Sequence, residues 1–144
     1  MKRPPKIYLA STSPRRRELL AQAGYSFELV PPGVDEIERP GESPRSMVRR
    51  FAVEKAEAAI SRLGRRSSGI LISADTTVVS PDGKRVLNKP GSEREAMKIL
   101  SVLSGKRHVV LTGYAVFALR KGRVARRRVA VVRTEVKMRP IPTA

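Results

Sequence analysis

The stretch Ser11-Thr12-Ser13-Pro14-Arg15-Arg16 gathers three hydroxyl side chains, a proline and two guanidinium groups. Ser13 followed by Pro14 reads as a helix start. The serine caps free N–H groups, and the proline takes the first helical position with its φ already set. A helix N-terminus carries roughly half a positive charge, so cations in the first turn are disfavoured, yet Arg15 and Arg16 stand there. A polyphosphate at the turn removes the conflict, because guanidinium forks grip phosphate oxygens in pairs. A surface loop with solvated arginines is the other reading of the same residues.

Two acidic positions could complete such chemistry. Asp75 follows the apolar run Gly69-Ile70-Leu71-Ile72-Ser73-Ala74 and is expected at the carboxyl end of a central strand. Ligands of open α/β sheets bind at such ends. An aspartate there can hold a divalent metal or take a proton from water, or it can cap a turn. Glu36 belongs to Val34-Asp35-Glu36, an acidic cluster in a basic chain, which otherwise serves solubility. Lys55 lies at the edge of an apolar helical stripe, from where a long side chain can reach a cleft or lie along the surface. His108 is the lone histidine and cysteine is absent, so zinc is not expected, and His108 is read as structural or close to substrate.

These positions need elements to hold them. Residues 6–10 read as a short buried strand. A helix follows over 14–23, with Gly24 past its end, and a strand over 26–30 stops at Pro31-Pro32. Ser43-Pro44 opens a long helix in which Val48, Phe51, Ala52, Ala56, Ala59, Ile60 and Leu63 recur at helical spacing. That spacing leaves Arg49, Arg50, Glu54 and Glu57 on the solvated side. After the strand over 69–74 and Thr76-Thr77-Val78-Val79, the turn Pro81-Asp82-Gly83-Lys84 returns a hairpin through Val86-Leu87. Ser92 and Glu95 form a capping box for a helix ending near Ser104-Gly105. Residues 108–119 make two strands or one bent strand, and a turn at Lys121-Gly122 leads to a strand over 129–136. The order indicates an α/β fold with a mixed, partly antiparallel sheet flanked by helices.

The chain of 144 residues fits one domain, and at this size folding buries roughly two-thirds of the unfolded surface. The basic start Met1-Lys2-Arg3-Pro4-Pro5 runs into a strand too short for a signal peptide. No apolar run approaches membrane-spanning length, so a soluble, cytoplasmic protein without a membrane partner is expected. The net charge of +17 favours polyanions, with clusters at Arg15 to Arg17, Arg65-Arg66 and Arg126 to Arg128. Aromatic residues make up 4% of the chain, too few for the stacking platforms of single-strand binders. Nucleic acid is therefore not the expected partner, although a basic nucleic-acid-binding module is kept as an alternative.

The segment Leu9-Ala10-Ser11-Thr12-Ser13-Pro14-Arg15-Arg16, followed by Glu18-Leu19-Leu20, resembles the opening signature of the Maf family of nucleoside triphosphate pyrophosphatases. Further landmarks are similar in order and spacing. They are Val34-Asp35-Glu36, Glu54-Lys55-Ala56, Ser73-Ala74-Asp75-Thr76 with Val78-Val79, Lys89-Pro90, Glu95-Ala96, and Leu103-Ser104-Gly105 through His108, Val110, Thr112 and Gly113. Thr134-Glu135-Val136 with Met138-Arg139 resembles a later strand of that family.

The resemblance implies the Maf and inosine-triphosphatase-like fold, and hydrolysis of a nucleoside triphosphate to the monophosphate and pyrophosphate with a divalent metal, Mg2+ or Mn2+. Carried over by position, it makes Asp75 and Glu36 the catalytic carboxylates and metal holders, without settling which is the base. It gives Lys55 and Lys89 to the phosphates, alongside Arg16 and the Ser11/Ser13 turn. Arg15 and Thr76 resemble the branch acting on dTTP and UTP, since the 7-methyl-GTP branch has tryptophan and glutamine there. Family members continue through a C-terminal segment with a lysine and a glutamine facing substrate, beyond the point corresponding to Ala144. The expectation is a single Maf-like domain over 1–144 lacking that segment, with a homodimer as one means of completing its core. A truncated, inactive protein that binds nucleotide or a partner is the remaining alternative.

Overall fold

The computed structural model describes residues 3–65 and 67–142. Arg66 of the second basic cluster, the Met1-Lys2 start and the Thr143-Ala144 end lie outside the described residues. The elements in chain order are β1 (Ile7–Ala10), α1 (Pro14–Gln22), β2 (Glu28–Leu29), α2 (Pro44–Leu63), β3 (Gly69–Val79), β4 (Val86–Leu87), α3 (Glu93–Leu103), β5 (Arg107–Arg120) and β6 (Arg123–Lys137). The sheet runs β2-β1-β3-β5-β6, with β4 also on β3. β1 pairs in parallel with β2 and β3, whereas β3–β5, β5–β6 and β3–β4 are antiparallel. This is the mixed α/β architecture that the order of elements implied.

The helix starts follow the capping chemistry of the sequence. Ser13, Ser43 and Ser92 each accept a backbone N–H from three residues on, and proline follows the first two. Glu95 reaches back past the cap and accepts the N–H of Gly91, one residue before Ser92, at 2.6 Å. The turn at Lys121-Gly122 has positive φ at both residues, 52° and 77°, the twist that suits a tight hairpin.

The core lies between α2 and one face of the sheet. Tyr8, Ala10, Ala52, Ala56, Ala59, Leu71, Ala115, Phe117 and Leu119 form its main cluster, and Val48, Val79 and Leu111 a second. The alternation is strict. Residues 71, 73, 75, 77 and 79 of β3 are buried toward α2, as are 111, 113, 115, 117 and 119 of β5, with the intervening residues more open. Full burial of Leu71 and Phe117 is worth roughly 1.5–3 kcal/mol for each side chain. The helix comes close because alanines make up half of its buried residues (Ala52, Ala56 and Ala59) and because Gly113 lies beneath it. A Cβ on Gly113 would stand 2.6 Å from the Val48 carbonyl carbon and 2.9 Å from the Arg49 nitrogen.

Three elements differ from the expected spans. β3 does not stop at Ala74 but continues to Val79, paired residue by residue with β5. Thr76-Thr77-Val78-Val79 is β-branched throughout and belongs on a pleated surface. Asp75 is therefore inside a strand. The carboxyl end that matters is that of β1, whose pairing stops at Ala10 opposite Ser73. The second strand shrinks to Glu28–Leu29. The last strand begins at Arg123 instead of Val129, because the backbone of Arg126-Arg127-Arg128 pairs with Val116, Phe117 and Ala118 whatever its side chains.

Candidate active site

One edge of β3 is occupied along its whole length by β5. The other edge carries β1 as far as Ser73 and β4 from Val78 onward, so residues 74–77 face a gap in the pairing. The chain leaving β1 turns beside this gap through Ser11–Ser13 into α1. Side chains from both faces of β3 reach it, because Asp75 points toward α2 and Thr76 toward the opposite face.

On the α2 side, Lys55 Nζ stands 2.6 Å from Glu36 Oε1 and 3.0 Å from Asp75 Oδ1. The side chains of Lys55 and Asp75 are 13% and 11% exposed and that of Glu36 is 47% exposed, so a solvent-facing carboxylate and a sheltered one share one ammonium group. Their meeting is built in one step earlier. The buried Ser73 hydroxyl donates to the Ala52 carbonyl at 2.6 Å. Asp75 is two residues beyond Ser73 on the same strand face, and Lys55 is three beyond Ala52 on the same helix face. Fixing one pair of residues aims the other.

Burial pushes the Asp75 carboxyl above its ordinary value. Lys55 pulls it back by charge and by hydrogen bond, Glu36 adds to the rise, and Arg16 opposes it. Low dielectric disfavours the charged form, and here that outweighs the ammonium.

On the other face, Arg16 Nη2 donates to Thr76 Oγ1 at 3.0 Å, and Thr76 Oγ1 lies 2.9 Å from Thr112 Oγ1 on β5. At the turn, the Ser13 N–H donates to Ser11 Oγ at 3.0 Å and the Arg16 N–H to Ser13 Oγ at 3.4 Å. Glu36, Lys55, Asp75, Thr76, Arg16, Ser11 and Ser13 are thus brought to one gap. Arg15 and Lys89 are exposed, and among the described residues no hydrogen bond or ion pair joins either to this cluster. His108 is buried on β5, its Nδ1 without a hydrogen-bond partner among the described residues, five residues from Gly113, the partner of Asp75.

Two contributors were given no role in the site from the sequence, although Thr112 is among the landmarks of the resemblance. Thr112 becomes relevant only through the β3–β5 register. Arg50, placed by periodicity on the solvated side of α2, is 15% exposed. It holds Glu42 through two bonds of 2.7 Å, Glu54 at 3.0 Å and the Ile37 carbonyl at 2.8 Å. It thereby fastens the β2–α2 loop next to Glu36. A signal was present in the loop itself: an ordered connection of this length, rich in carboxylates, needs a cation to hold it.

The residues present fit a divalent cation held jointly with a ligand. Two carboxylates converge, and among the described residues no group of three His, Cys, Asp or Glu could form an all-protein cage. One or two carboxylates plus substrate phosphates is how Mg2+ is usually held.

The fold is shared with proteins already solved. A HAM1 protein from Coxiella burnetii superposes with a TM-score of 0.59 at 14% identity, over 92% of this chain and 72% of the other. A nucleoside-triphosphatase / dITP/XTP pyrophosphatase from Mycobacterium abscessus gives 0.53 at 18% identity, over 96% and 76%. Within that fold the sequence is more specific. The family model for Maf-like proteins matches residues 6–144, and the chain belongs to that family. Its relatives include proteins named dTTP/UTP pyrophosphatase from Syntrophus aciditrophicus, 42% identical over 95% of this chain, and Vibrio parahaemolyticus, 37% identical over 98%. One from Burkholderia lata is 47% identical over 78%. The chain spans 63%, 70% and 56% of the lengths of these three relatives. Among the described residues no helix is long and apolar enough to cross a membrane.

Proposed function

We propose that this chain, acting as one Maf-like domain, hydrolyses dTTP and UTP to the monophosphate and pyrophosphate with Mg2+ or Mn2+, as part of nucleotide-pool clearance in the cytoplasm. The observation that carries the reading is the convergence of Glu36 and Asp75 on Lys55 beside the Ser11–Ser13 turn and Arg16. Hydrolysis of a polyanion needs cations to neutralise charge and a carboxylate to orient and deprotonate water. The relatives named dTTP/UTP pyrophosphatase supply the substrate class.

In this reading the α1 N-terminus, the Ser11–Ser13 turn and Arg16 receive phosphate oxygens, with Arg15 and Lys89 approaching from the exposed rim. Glu36 and Asp75 would hold the divalent ion, which when bound neutralises phosphate charge. Asp75, more sheltered and with its proton affinity raised, suits proton transfer from water. Glu36, on a solvent-facing loop, suits metal ligation. Thr76 fixes Arg16 relative to Asp75 and so relates the phosphate end of the site to the reacting end.

The test is pyrophosphate release from a panel that includes dTTP, UTP and 7-methyl-GTP, with Mg2+ or Mn2+ and with chelator. Metal-dependent release confined to dTTP and UTP is expected. Nucleotide-dependent thermal stabilisation without release from folded protein would replace catalysis by nucleotide binding alone.

A further inference from the structure

Lys55 holds the position between the two carboxylates that a divalent ion would need. Its ammonium is within hydrogen-bond distance of both, at 2.6 and 3.0 Å. An ion bound to the same oxygens would sit at about 2.0–2.1 Å from each, leaving no space for the ammonium between them. The charges also balance without a metal. Glu36 and Asp75 are set against Lys55 and Arg16, the two cations that bear on the Asp75 carboxyl. A divalent ion added to that balanced, partly buried cluster leaves positive charge without a partner, which is costly away from water. With no third carboxylate, imidazole or thiolate grouped there among the described residues, the pair has little with which to outbid the lysine.

We infer that Lys55 is the resident counter-ion of the Glu36–Asp75 pair, that it must leave before a divalent cation enters, and that the triphosphate draws it away. The lysine stem is flexible and its ammonium is a compact point charge, so it can exchange carboxylate oxygens for phosphate oxygens. Metal and nucleotide then bind as a coupled pair, and each tightens the other by the same factor. The free site takes up metal weakly, which guards the carboxylates against idle occupation. The nucleotide half of this inference rests on the pyrophosphatase reading. The metal half does not.

The test measures Mn2+ binding, by the magnetic resonance signal of free Mn2+, to the wild-type chain, Lys55→Met and Lys55→Gln, each with and without α,β-methylene-UTP, the Mn2+ taken up by the analogue alone being subtracted from a protein-free titration. Circular dichroism confirms that each protein is folded. Without nucleotide, both variants are expected to bind Mn2+ more tightly than wild type by about ten-fold or more, and the analogue should tighten wild-type binding by a similar factor. Adding Glu36→Gln to Lys55→Met should abolish the gain. Mn2+ binding by both variants no tighter than wild type would overturn the inference. So would equal Mn2+ affinity of the wild type with and without the analogue, a comparison that needs no substitution. If the metal pattern appears but no nucleoside triphosphate is hydrolysed, the counter-ion role stands and the catalytic reading fails.

Discussion

Arg50 and Glu42 face each other through two hydrogen bonds of 2.7 Å, with side chains 15% and 13% exposed. The same guanidinium binds the carbonyl of Ile37, the residue after Glu36. The pair therefore helps to hold a loop that, among the described residues, reaches the site through the Glu36–Lys55 contact. Glu42 holds Arg50 firmly protonated, and Arg50 holds the Glu42 carboxyl below its ordinary range.

Arg50→Lys keeps the charge but cannot make the planar fork. With Glu36 as the proposed metal ligand on the loop that Arg50 fastens, it is expected to reduce kcat by about 10–100-fold, the range for outer supports of a metal site, with a smaller change in the KM for nucleotide. Arg50→Met should be at least as severe, and the loss should not add to that from Glu42→Gln. Steady-state kinetics on the two single variants and the double variant decide this. Additive losses would show that the two residues do not act as a unit.

The elevated proton affinity of Asp75 makes two predictions of opposite appearance. In the proposed reading activity needs the carboxylate, so the acid limb of kcat/KM should lie above the ordinary aspartate range and disappear with the loss of activity in Asp75→Ala. Stability moves the other way. Between the unfolded value and the raised folded value the native state binds more protons than the unfolded state, so this group's contribution falls as pH rises through that window. Asp75→Asn should therefore melt no lower than wild type at pH 7.5, with the difference closing at acid pH. Thermal melts over pH 4–8 read this directly. An inactive variant melting well below wild type at pH 7.5 would contradict it.

Ser73→Ala removes the second donor to the Ala52 carbonyl, which keeps its bond within α2, at a cost of about 0.5–1.5 kcal/mol. Gly113→Ala forces a methyl group against the backbone of α2 and should cost about 1–3 kcal/mol. Both are measured by urea unfolding. Both should lower kcat as well, since each shifts α2 against β3 and with it Lys55 against Asp75.

Arg16→Lys loses the guanidinium fork that the proposed function assigns to phosphate, and with it the bond to Thr76. A charge-assisted hydrogen bond of about 1.5–3 kcal/mol corresponds to roughly a 10–100-fold fall in kcat/KM. Thr112→Val, which keeps the shape but removes the hydroxyl behind Thr76, should give a smaller fall in the same parameter. Equal activity of Arg16→Lys and wild type would remove Arg16 from the phosphate site.

Much of this arrangement is legible in the sequence because it is local. Ser13-Pro14, Ser43-Pro44 and Ser92 with Glu95 announce their helices through chemistry confined to four residues, and the alanine stripe of α2 announces its buried face. The gap in β3 could not be read the same way. It arises because β1 stops at Ala10 while β3 continues on the strength of its pairing with β5, a relation between segments some forty residues apart. Arg50 was hidden for a similar reason, since helical periodicity assigns a charged residue outward and knows nothing of a loop that folds back over it. Thr112 is an ordinary strand residue until register sets it beside Thr76.

β6 ends the sheet, and among the described residues no strand pairs with its outer edge. Such a rim offers a second molecule fifteen residues of backbone to zip onto. Arg126, Arg127 and Arg128 lie along it, so two approaching copies bring like charges together. The colloidal behaviour of the protein is thus tied to ionic strength. Screening reaches about 10 Å at 0.1 M salt but only about 3 Å at 1 M, and concentrated salt should let molecules join by this edge that dilute buffer keeps apart.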